Sequence, residues 1–403
     1  MKKRIFIAMH YMEIGGAEIS LIGLLNAIDY SKYDVDLFIF SHQGELMKLI
    51  PKRVNLLSEI PIYSYIEKPM SAALMAGYYR LVAARLWAKY KYKQYCKKYH
   101  PKDGSAIFQY VANRVTPILP SLHQYGEYDL AISFLTPHNI VLDNVTAKKK
   151  IAWIHTDYSK IDVNAALELP VWNRYDYIVS ISEDVTKTFL TTFPILKDKI
   201  VEIHNILSPS FVRCRSDENA DFSEMELSKN HVKLLSVGRF SDAKNFDNVP
   251  DILKRIREKG IDAKWYIIGY GGMESLIRQK IAEAAVEDYA ILLGKKENPY
   301  PYIKACSIYV QPSRYEGNSV TVREAQMLCK PVVVTNYATA KSQINDGVDG
   351  VIVQLDNEGC ADGIVELIND KEKQHRLVEY LKTHDYGNES EVEKIYKLMV
   401  VGD

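Results

Sequence analysis

Short apolar runs alternating with turns and amphipathic segments constrain this chain more than any single motif does. Arg4 to Met9 is such a run, followed by a Gly15-Gly16 turn. An amphipathic stretch from about Ala17 to Ile28 comes next, with Ile19, Leu21, Ile22, Leu24 and Leu25 as its apolar positions, and then a second run, Val35 to Phe40. Strand, glycine turn, helix and strand open a doubly wound parallel sheet. Tyr128 to Phe134, Lys150 to Ile154, Tyr177 to Ile181 and Lys199 to Ile203 continue the series. A second series follows, with strands at Val232 to Val237, Lys264 to Ile268, Ala290 to Leu293, Ser307 to Val310, Pro331 to Thr335 and Gly350 to Val353. Helices are expected between them at Phe246 to Lys259, Ser275 to Ala285 and Pro299 to Cys306. At 403 residues the chain exceeds one ordinary core. The pattern therefore predicts an α/β protein of two doubly wound, Rossmann-like parallel-sheet domains, with their strand C-terminal ends around a central cleft.

The first domain is expected to span residues 1–208 and to carry a helical insertion at about 60–128. Residues 209–230 are polar, acid-rich and contain Pro209, which marks a linker. The second domain covers 231–385, and a helix within 386–403 is expected to pack back on the first domain. Lys+Arg and Asp+Glu both number 51, a balance that argues against a nucleic-acid partner. Five scattered cysteines without C-x-x-C spacing read as free thiols in a reducing compartment. The apolar run Ile5 to Met9 is too short for a signal peptide and no run has transmembrane length, so a cytoplasmic location is expected.

The insertion has its own chemistry. Between Ser71 and Lys102 there is no acid, while Arg80, Arg85, Lys89, Lys91, Lys93, Lys97, Lys98 and Lys102 are basic. Leu74, Tyr78, Leu81, Ala88, Tyr92, Tyr95 and Tyr99 fall on one helical face, interrupted only by Arg85. Two readings are open. The aromatic stripe lies in the headgroup layer of an anionic membrane, at the inner face of the cell membrane, or it packs on the domain and leaves a solvated basic side. Arg85, Lys89, Lys91, Lys93, Lys97 and Lys98 are the candidate membrane or acceptor patch.

The stretch Gln311 to Leu328 carries the chemistry. It links two strands through a loop that opens a helix, and it holds Glu316 and Glu324 with seven residues between them. A helix N-terminus suits a phosphate, and carboxylates suit the hydroxyls of a ribose or a sugar. Phosphate plus diol reads as a nucleotide sugar. Three further loops follow strand ends: Gly238-Arg239 with Lys244, Gly269 to Gly272, and Gly294 to Pro299. Arg and Lys beside a helix N-terminus form a diphosphate clamp without a metal. Each loop alone is more often a turn or a surface charge; their occurrence in strand order favours function. A dinucleotide domain fits poorly, because G-x-G-x-x-G is absent and Ser41-His42-Gln43-Gly44 offers no acid to a ribose. Asp34-Val-Asp36, at a strand start, is expected to face solvent rather than hold a metal.

With these motifs the chain resembles the retaining GT-B glycosyltransferases of family 4 over nearly its whole length. The resemblance rests on Glu316-x7-Glu324, on Gly238-Arg239 followed after four residues by Lys244-Asn245, on Gly15-Gly16-Ala17-Glu18, and on His155 in Trp153-Ile-His-Thr-Asp157. It implies a first domain for the acceptor and a second for the donor. Arg239 and Lys244 would hold the donor diphosphate and Glu324 the ribose. Glu316 would face the sugar, with Gly317, Asn318 and Ser319 near sugar and distal phosphate. Gly271 would line the donor pocket, and Asn298 lies by the region that contacts the base. His155 would reach a sugar hydroxyl from the other domain, and Gly15 and Gly16 would line the cleft. Glu316, His155, Arg239 and Lys244 are the implied catalytic set.

The implied reaction moves a sugar from a UDP-sugar to a lipid-linked or oligosaccharide acceptor in bacterial capsule, exopolysaccharide or lipopolysaccharide assembly. It retains configuration and needs no metal or cofactor. Tyr337-Ala338-Thr339-Ala340-Lys341 departs from the family's Gly-Gly-x-x-Glu-type turn, which leaves the donor's identity open. The competing expectations are a non-catalytic GT-B partner subunit and a GT-B epimerase or phosphorylase; no motif places a lysine to anchor pyridoxal phosphate.

Overall fold

The computed structural model describes residues 2–101, 103–225, 230–317 and 319–400. The chain divides into two units: the first runs to residue 207 and includes the segment from residue 388, and the second spans 208–387.

The first unit is built on seven parallel strands, β1 (Lys3–Met9), β2 (Tyr33–Ile39), β3 (Asn55–Leu56), β4 (Glu127–Ser133), β5 (Thr146–Ile154), β6 (Tyr177–Ser180) and β7 (Ile200–Glu202), in the order β3-β2-β1-β4-β5-β6-β7. Parallel strands are covered on both faces, so they read as continuous apolar runs. Ile5, Phe6, Ile7, Ala8 and Met9 have almost no exposed surface. β3 escaped the sequence reading because it is two exposed residues long. β1 pairs with β2 on one side and β4 on the other, so the chain reverses its direction of travel across the sheet between β1 and β4. The helix Gly16–Ala27 closes on the backbone of Ile206, and only a glycine at position 23 permits the approach: a Cβ there would lie 1.9 Å from the Ile206 carbonyl oxygen.

One expectation is corrected in this unit, and part of the tyrosine stripe, left open above, is seen to pack on the domain. Asp36 does not face solvent. It is buried and accepts hydrogen bonds from Arg4 (2.9 Å), Asn55 (2.7 Å) and the Tyr128 hydroxyl (2.6 Å), whereas Asp34 stays exposed and pairs with Lys2. The tyrosine stripe is not one continuous outer face. The chain breaks at Gly77 (φ 81°) into helices Met70–Met75 and Tyr79–Tyr99. Leu81 and Ala88 are buried. Tyr92 and Tyr95 pack their rings against Tyr110 of helix Ile107–Val115, and their hydroxyls reach the carbonyls of Asp103 and Val163. Leu74 and Tyr99 of the stripe stay exposed, as do Tyr79, Leu86, Trp87 and Tyr90.

The segment from residue 388 returns to this unit. Asn388 Oδ1 accepts the Leu207 N–H (2.7 Å), and Tyr396 of helix Val392–Leu398 stacks on Tyr33 with ring centroids 4.2 Å apart.

The second unit has six parallel strands, β8 (Val232–Val237), β9 (Ala263–Ile268), β10 (Ala290–Gly294), β11 (Ile308–Gln311), β12 (Val332–Thr335) and β13 (Val351–Val353), in the order β10-β9-β8-β11-β12-β13. Its reversal lies between β8 and β11. Helix Val249–Glu258 buries Val249, Ile252, Leu253 and Ile256 on a helical period and keeps Lys254, Arg255 and Glu258 off the core. The expected linker is also corrected. Residues 209–216 form a helix, with Pro209 at its first position and the Ser208 hydroxyl accepting from Phe211 N–H (3.4 Å). It packs on helices Tyr300–Ala305 and Val320–Met327 and belongs to the second unit. Linker residues 226–229 lie outside the described residues.

Candidate functional site

In a sheet that reverses its strand order, the crevice beyond the carboxyl ends at the reversal is the natural ligand site. In the second unit the loops after β8 and β11 meet there. Asn245, in the left-handed conformation (φ 58°), holds them together: its Nδ2 donates to the Pro312 carbonyl (2.9 Å). Arg314 adds a second tie, N–H to the Ala243 carbonyl (2.8 Å) and a forked pair with Asp247 (2.9 and 2.7 Å).

Between these ties sits an ion pair. Lys244 Nζ lies 2.6 Å from Glu316 Oε1, with side-chain exposures of 19% and 11%. Glu316 Oε1 also accepts from Ser313 Oγ (2.6 Å) and Gln311 Nε2 (3.2 Å). Three donors thus fix one carboxylate oxygen, while among the described residues Oε2 has no partner. The Lys244 ammonium uses one of its three donors on this bond. Its alkyl chain runs beside Gly238; Arg239, the next residue along the chain from that glycine, is exposed and makes no ion pair among the described residues.

Glu324 lies on the helix that follows this loop, Val320–Met327. It is 4% exposed and its Oε1 accepts the Tyr300 hydroxyl proton (2.8 Å). Burial pushes its carboxyl up to about 7, against the lowering effect of the Tyr300 hydrogen bond. The Tyr309 hydroxyl bridges Gln311 and Thr321 between the two glutamates' surroundings (2.8 and 2.7 Å). Helix Val320–Met327 has no side-chain cap at its N-terminus and no acid in its first turn. An uncapped helix N-terminus of this kind, close after the loop that carries Glu316, is the arrangement that attracts an anion.

The remaining expected residues are placed as follows. Gly317 is exposed with open space around it, and Asn318 lies outside the described residues. Ser319 is buried, and its N–H is already given to Gln343 Oε1 (3.1 Å). Gly271 presses against the Phe240 backbone, where a Cβ would sit 2.5 Å from the carbonyl oxygen at φ 152°; close packing alone accounts for a glycine there. Asn298 donates to the Arg215 carbonyl (2.8 Å) and to Glu218 (3.0 Å), tying its loop to helix Pro209–Ser216.

In the first unit, His155 follows β5 with its ring against Phe134 and Trp153, its Nε2 buried without a partner among the described residues. Burial pushes it down to about 3, so the ring is neutral. Gly15 and Gly16 open the first helix; a Cβ at Gly15 would meet the Glu18 carboxylate at 2.2 Å, and at Gly16 there is open space. Lys89, Lys93, Lys97 and Lys98 are exposed, Lys91 stands over Trp87 (5.0 Å), and Arg85 is turned inward.

Sequence reasoning missed four partners. Ser313 and Gln311 lie inside the singled-out stretch, and their signal was a polar pair ending a fully apolar strand. Tyr300 gave no signal before the fold brought it to Glu324. Thr339 belongs to the departing segment, and its hydroxyl donates to the Glu316 carbonyl (2.7 Å), so this turn holds the Glu316 loop without the family's Gly-Gly-x-x-Glu-type sequence. Among the described residues no group of three or more His, Cys, Asp or Glu is placed to hold a metal ion, and no helix is long and apolar enough to cross a membrane.

Residues 217–384 match the family described as glycosyl transferases group 1. The chain is 27% identical over 188 residues to an uncharacterized glycosyltransferase of Methanocaldococcus jannaschii, covering 46% of each chain. It is 29% identical over 126 residues to the N-acetylgalactosamine-N,N'-diacetylbacillosaminyl-diphospho-undecaprenol 4-alpha-N-acetylgalactosaminyltransferase of Campylobacter jejuni, covering 31% of this chain and 34% of that one. These matches span less than half of the relatives' own length. The fold resembles a crystal structure of Anabaena HepE in complex with UDP and glucose, with a TM-score of 0.69, 14% identity and 99% of both chains covered. A TarM structure of S. aureus is similar at a TM-score of 0.64, 14% identity and 99% of both chains. The fold is thus the GT-B pair of Rossmann-like domains, and the second unit carries the group 1 glycosyltransferase match.

Proposed function

We propose that this protein is a retaining glycosyltransferase. It moves a sugar from a nucleoside-diphospho-sugar, UDP-linked, to a glycan or lipid-linked acceptor in bacterial surface polysaccharide assembly, without a metal ion. One observation carries the reading: at the reversal of the second sheet, the Lys244–Glu316 pair, the exposed Arg239, an uncapped helix N-terminus and the buried Glu324 converge. The group 1 match over the same residues supports it, as does the UDP held by a protein of this fold.

The division of labour follows from the chemistry. As the bond from the anomeric carbon to the phosphate oxygen breaks, its electron pair leaves on the diphosphate and positive charge builds on the sugar ring. Arg239, the two free donors of Lys244 and the helix N-terminus meet the departing negative charge. The acceptor oxygen bonds to the anomeric carbon on the face the diphosphate leaves, and its proton passes to the phosphate oxygen. Glu316, fixed through Oε1, offers Oε2 to a sugar hydroxyl, and Glu324 offers its carboxylate to the ribose.

Peripheral contact with an anionic bilayer is proposed through the outward face of helix Tyr79–Tyr99, where Leu86, Trp87 and Tyr90 stand beside Lys89, Lys93 and Lys97. The test of the main reading is product release from UDP- and GDP-sugars. Glu316→Ala is expected to lower turnover by about 10²–10³-fold, the usual effect of removing one transition-state contact. No turnover from any such sugar, or full activity in Glu316→Ala, would sink the proposal.

A further inference from the structure

The loop that carries Glu316 is held along its backbone by side chains of one neighbouring segment. Thr335 ends β12, and its hydroxyl donates to the Ser313 carbonyl (2.6 Å). Four residues on, the Thr339 hydroxyl donates to the Glu316 carbonyl (2.7 Å). Four more on, Gln343 Nε2 donates to the Ser319 carbonyl (2.6 Å). Donors at positions 335, 339 and 343 thus meet carbonyls at 313, 316 and 319.

Gln343 does more than the two threonines. Its Oε1 also accepts the Ser319 N–H (3.1 Å), so one side-chain amide pairs with both backbone groups of a single residue. Tyr337, itself buried, gives its hydroxyl proton to the same oxygen (3.2 Å). Gln343 is buried and ends the short helix Ala340–Gln343. Ser319 is the extended residue before helix Val320–Met327, and its own side chain does not cap that helix. The start of the helix is therefore fixed from outside, by Gln343. Ser319 offers one backbone donor and one backbone acceptor, and a side-chain amide matches both, whereas a carboxylate or a thioether does not.

The Glu316 carboxylate is fixed at Oε1 by Lys244, Ser313 and Gln311, but the main chain it stands on is anchored at 313, 316 and 319. Gln343 spends its hydrogen bonds on Ser319 and Tyr337, and none on Arg239, Lys244 or Glu324, the groups read as holding the nucleotide. We propose that Gln343 is a positioning residue for the transfer step: by holding both backbone groups of Ser319 it fixes the loop from which Glu316 reaches the sugar, and it leaves the hold on the nucleotide to others. The inference rests on the reading that Glu316 faces the donor sugar.

The test is steady-state turnover with the nucleotide sugar that the parent protein uses, beside UDP binding by calorimetry. Gln343→Met keeps the length of the side chain and removes both hydrogen-bonding groups. It should lower kcat about 10–100-fold, the scale of a slightly misplaced reacting group, and leave the dissociation constant for UDP little changed. In a Glu316→Ala background the same substitution should have no further effect on kcat, because the two residues act as one unit. Gln343→Glu is the second variant. Its carboxylate accepts the Ser319 N–H but donates to the carbonyl only once it takes a proton, so its turnover relative to the parent should recover as pH falls. Unchanged kcat in Gln343→Met, equal losses of turnover and UDP binding, or a full additional loss in the Glu316→Ala background would overturn the proposal. Where Gln343→Met does not fold, a Gln343→Glu ratio that is flat with pH overturns it. A parent protein with no turnover from any nucleotide sugar defeats the glycosyltransferase reading and this inference with it; an active parent indifferent to Gln343→Met defeats the inference alone.

Discussion

The two units share one topology at the carboxyl edges of their sheets and differ in what they place there. Both sheets run outward in one direction from their first strand and then turn back, so each opens a crevice beside that strand. In the second unit the crevice is filled with charge: Lys244 against Glu316, Arg239 beside them and a buried glutamate behind. In the first it is a recess with aromatic and aliphatic walls, bordered by the His10–Glu67 pair and by Lys68 and Arg85. Parallel-sheet architecture supplies the place, and the loops supply the chemistry.

That contrast can be broken most sharply at Lys244. Lys244→Ala removes a cation from the departing diphosphate and leaves Glu316 without its counterion, so turnover should drop about 10²–10³-fold in a product-release assay. A loss below tenfold would mean that the charge there serves the fold and not the reaction.

Next in size is Glu324. Glu324→Gln should weaken UDP-sugar binding about 10–100-fold by calorimetry, because an ionised acceptor is lost from the ribose. Its pH behaviour adds a sign. The carboxyl is raised on folding from 4.5 to about 7, so the folded state holds the proton more tightly. Its contribution to stability is full at low pH and is lost as pH rises from 4.5 through 7, by an amount on the order of 3 kcal/mol. Donor binding should change the opposite way, strengthening as the group ionises near 7. Both slopes should vanish in Glu324→Gln. Flat profiles in the parent protein would show that Glu324 is an inert buried acid.

How much could be read beforehand also divides between the two crevices. Glu316 and Glu324 lie within one stretch, and Gly238, Arg239 and Lys244 within another, so local spacing exposed the charged site. His10, Glu67, Arg85 and Val111 are spread over about a hundred positions and meet only because β1, the helical insertion and β4 converge; no local period announces that. The tyrosine stripe shows the same limit. Its four–three spacing gathered the buried Leu81 and Ala88 with the exposed Leu74 and Tyr99; spacing does not say whether lipid or protein covers a face, and Tyr110 turned out to be the partner of Tyr92 and Tyr95. Asp36 was misread because its partners Arg4, Asn55 and Tyr128 come from three other strands. The helix at Pro209 was hidden by polar, acid-rich neighbours, although Ser208-Pro209 is a good helix start.

Two smaller effects sharpen the comparison. Thr339→Val removes the hydroxyl that holds the Glu316 carbonyl, which should cost about 1 kcal/mol of stability and slow turnover a few-fold, read by thermal unfolding and by initial rates. Neutralising Lys89, Lys93, Lys97 and Lys98 together should reduce flotation with anionic liposomes and leave flotation with neutral liposomes unchanged. Equal flotation of parent and variant with anionic lipid removes the electrostatic part of the membrane proposal.

The central claim is that the charged crevice of the second unit holds the donor diphosphate. Thermal unfolding with saturating UDP, in the parent protein and in Arg239→Ala, tests it most directly. The expected result is stabilisation of about 3–4 kcal/mol at high multiples of the dissociation constant, and a UDP affinity at least tenfold weaker in the variant. A parent protein whose unfolding UDP does not shift, or an Arg239→Ala variant that binds UDP equally well, would contradict it.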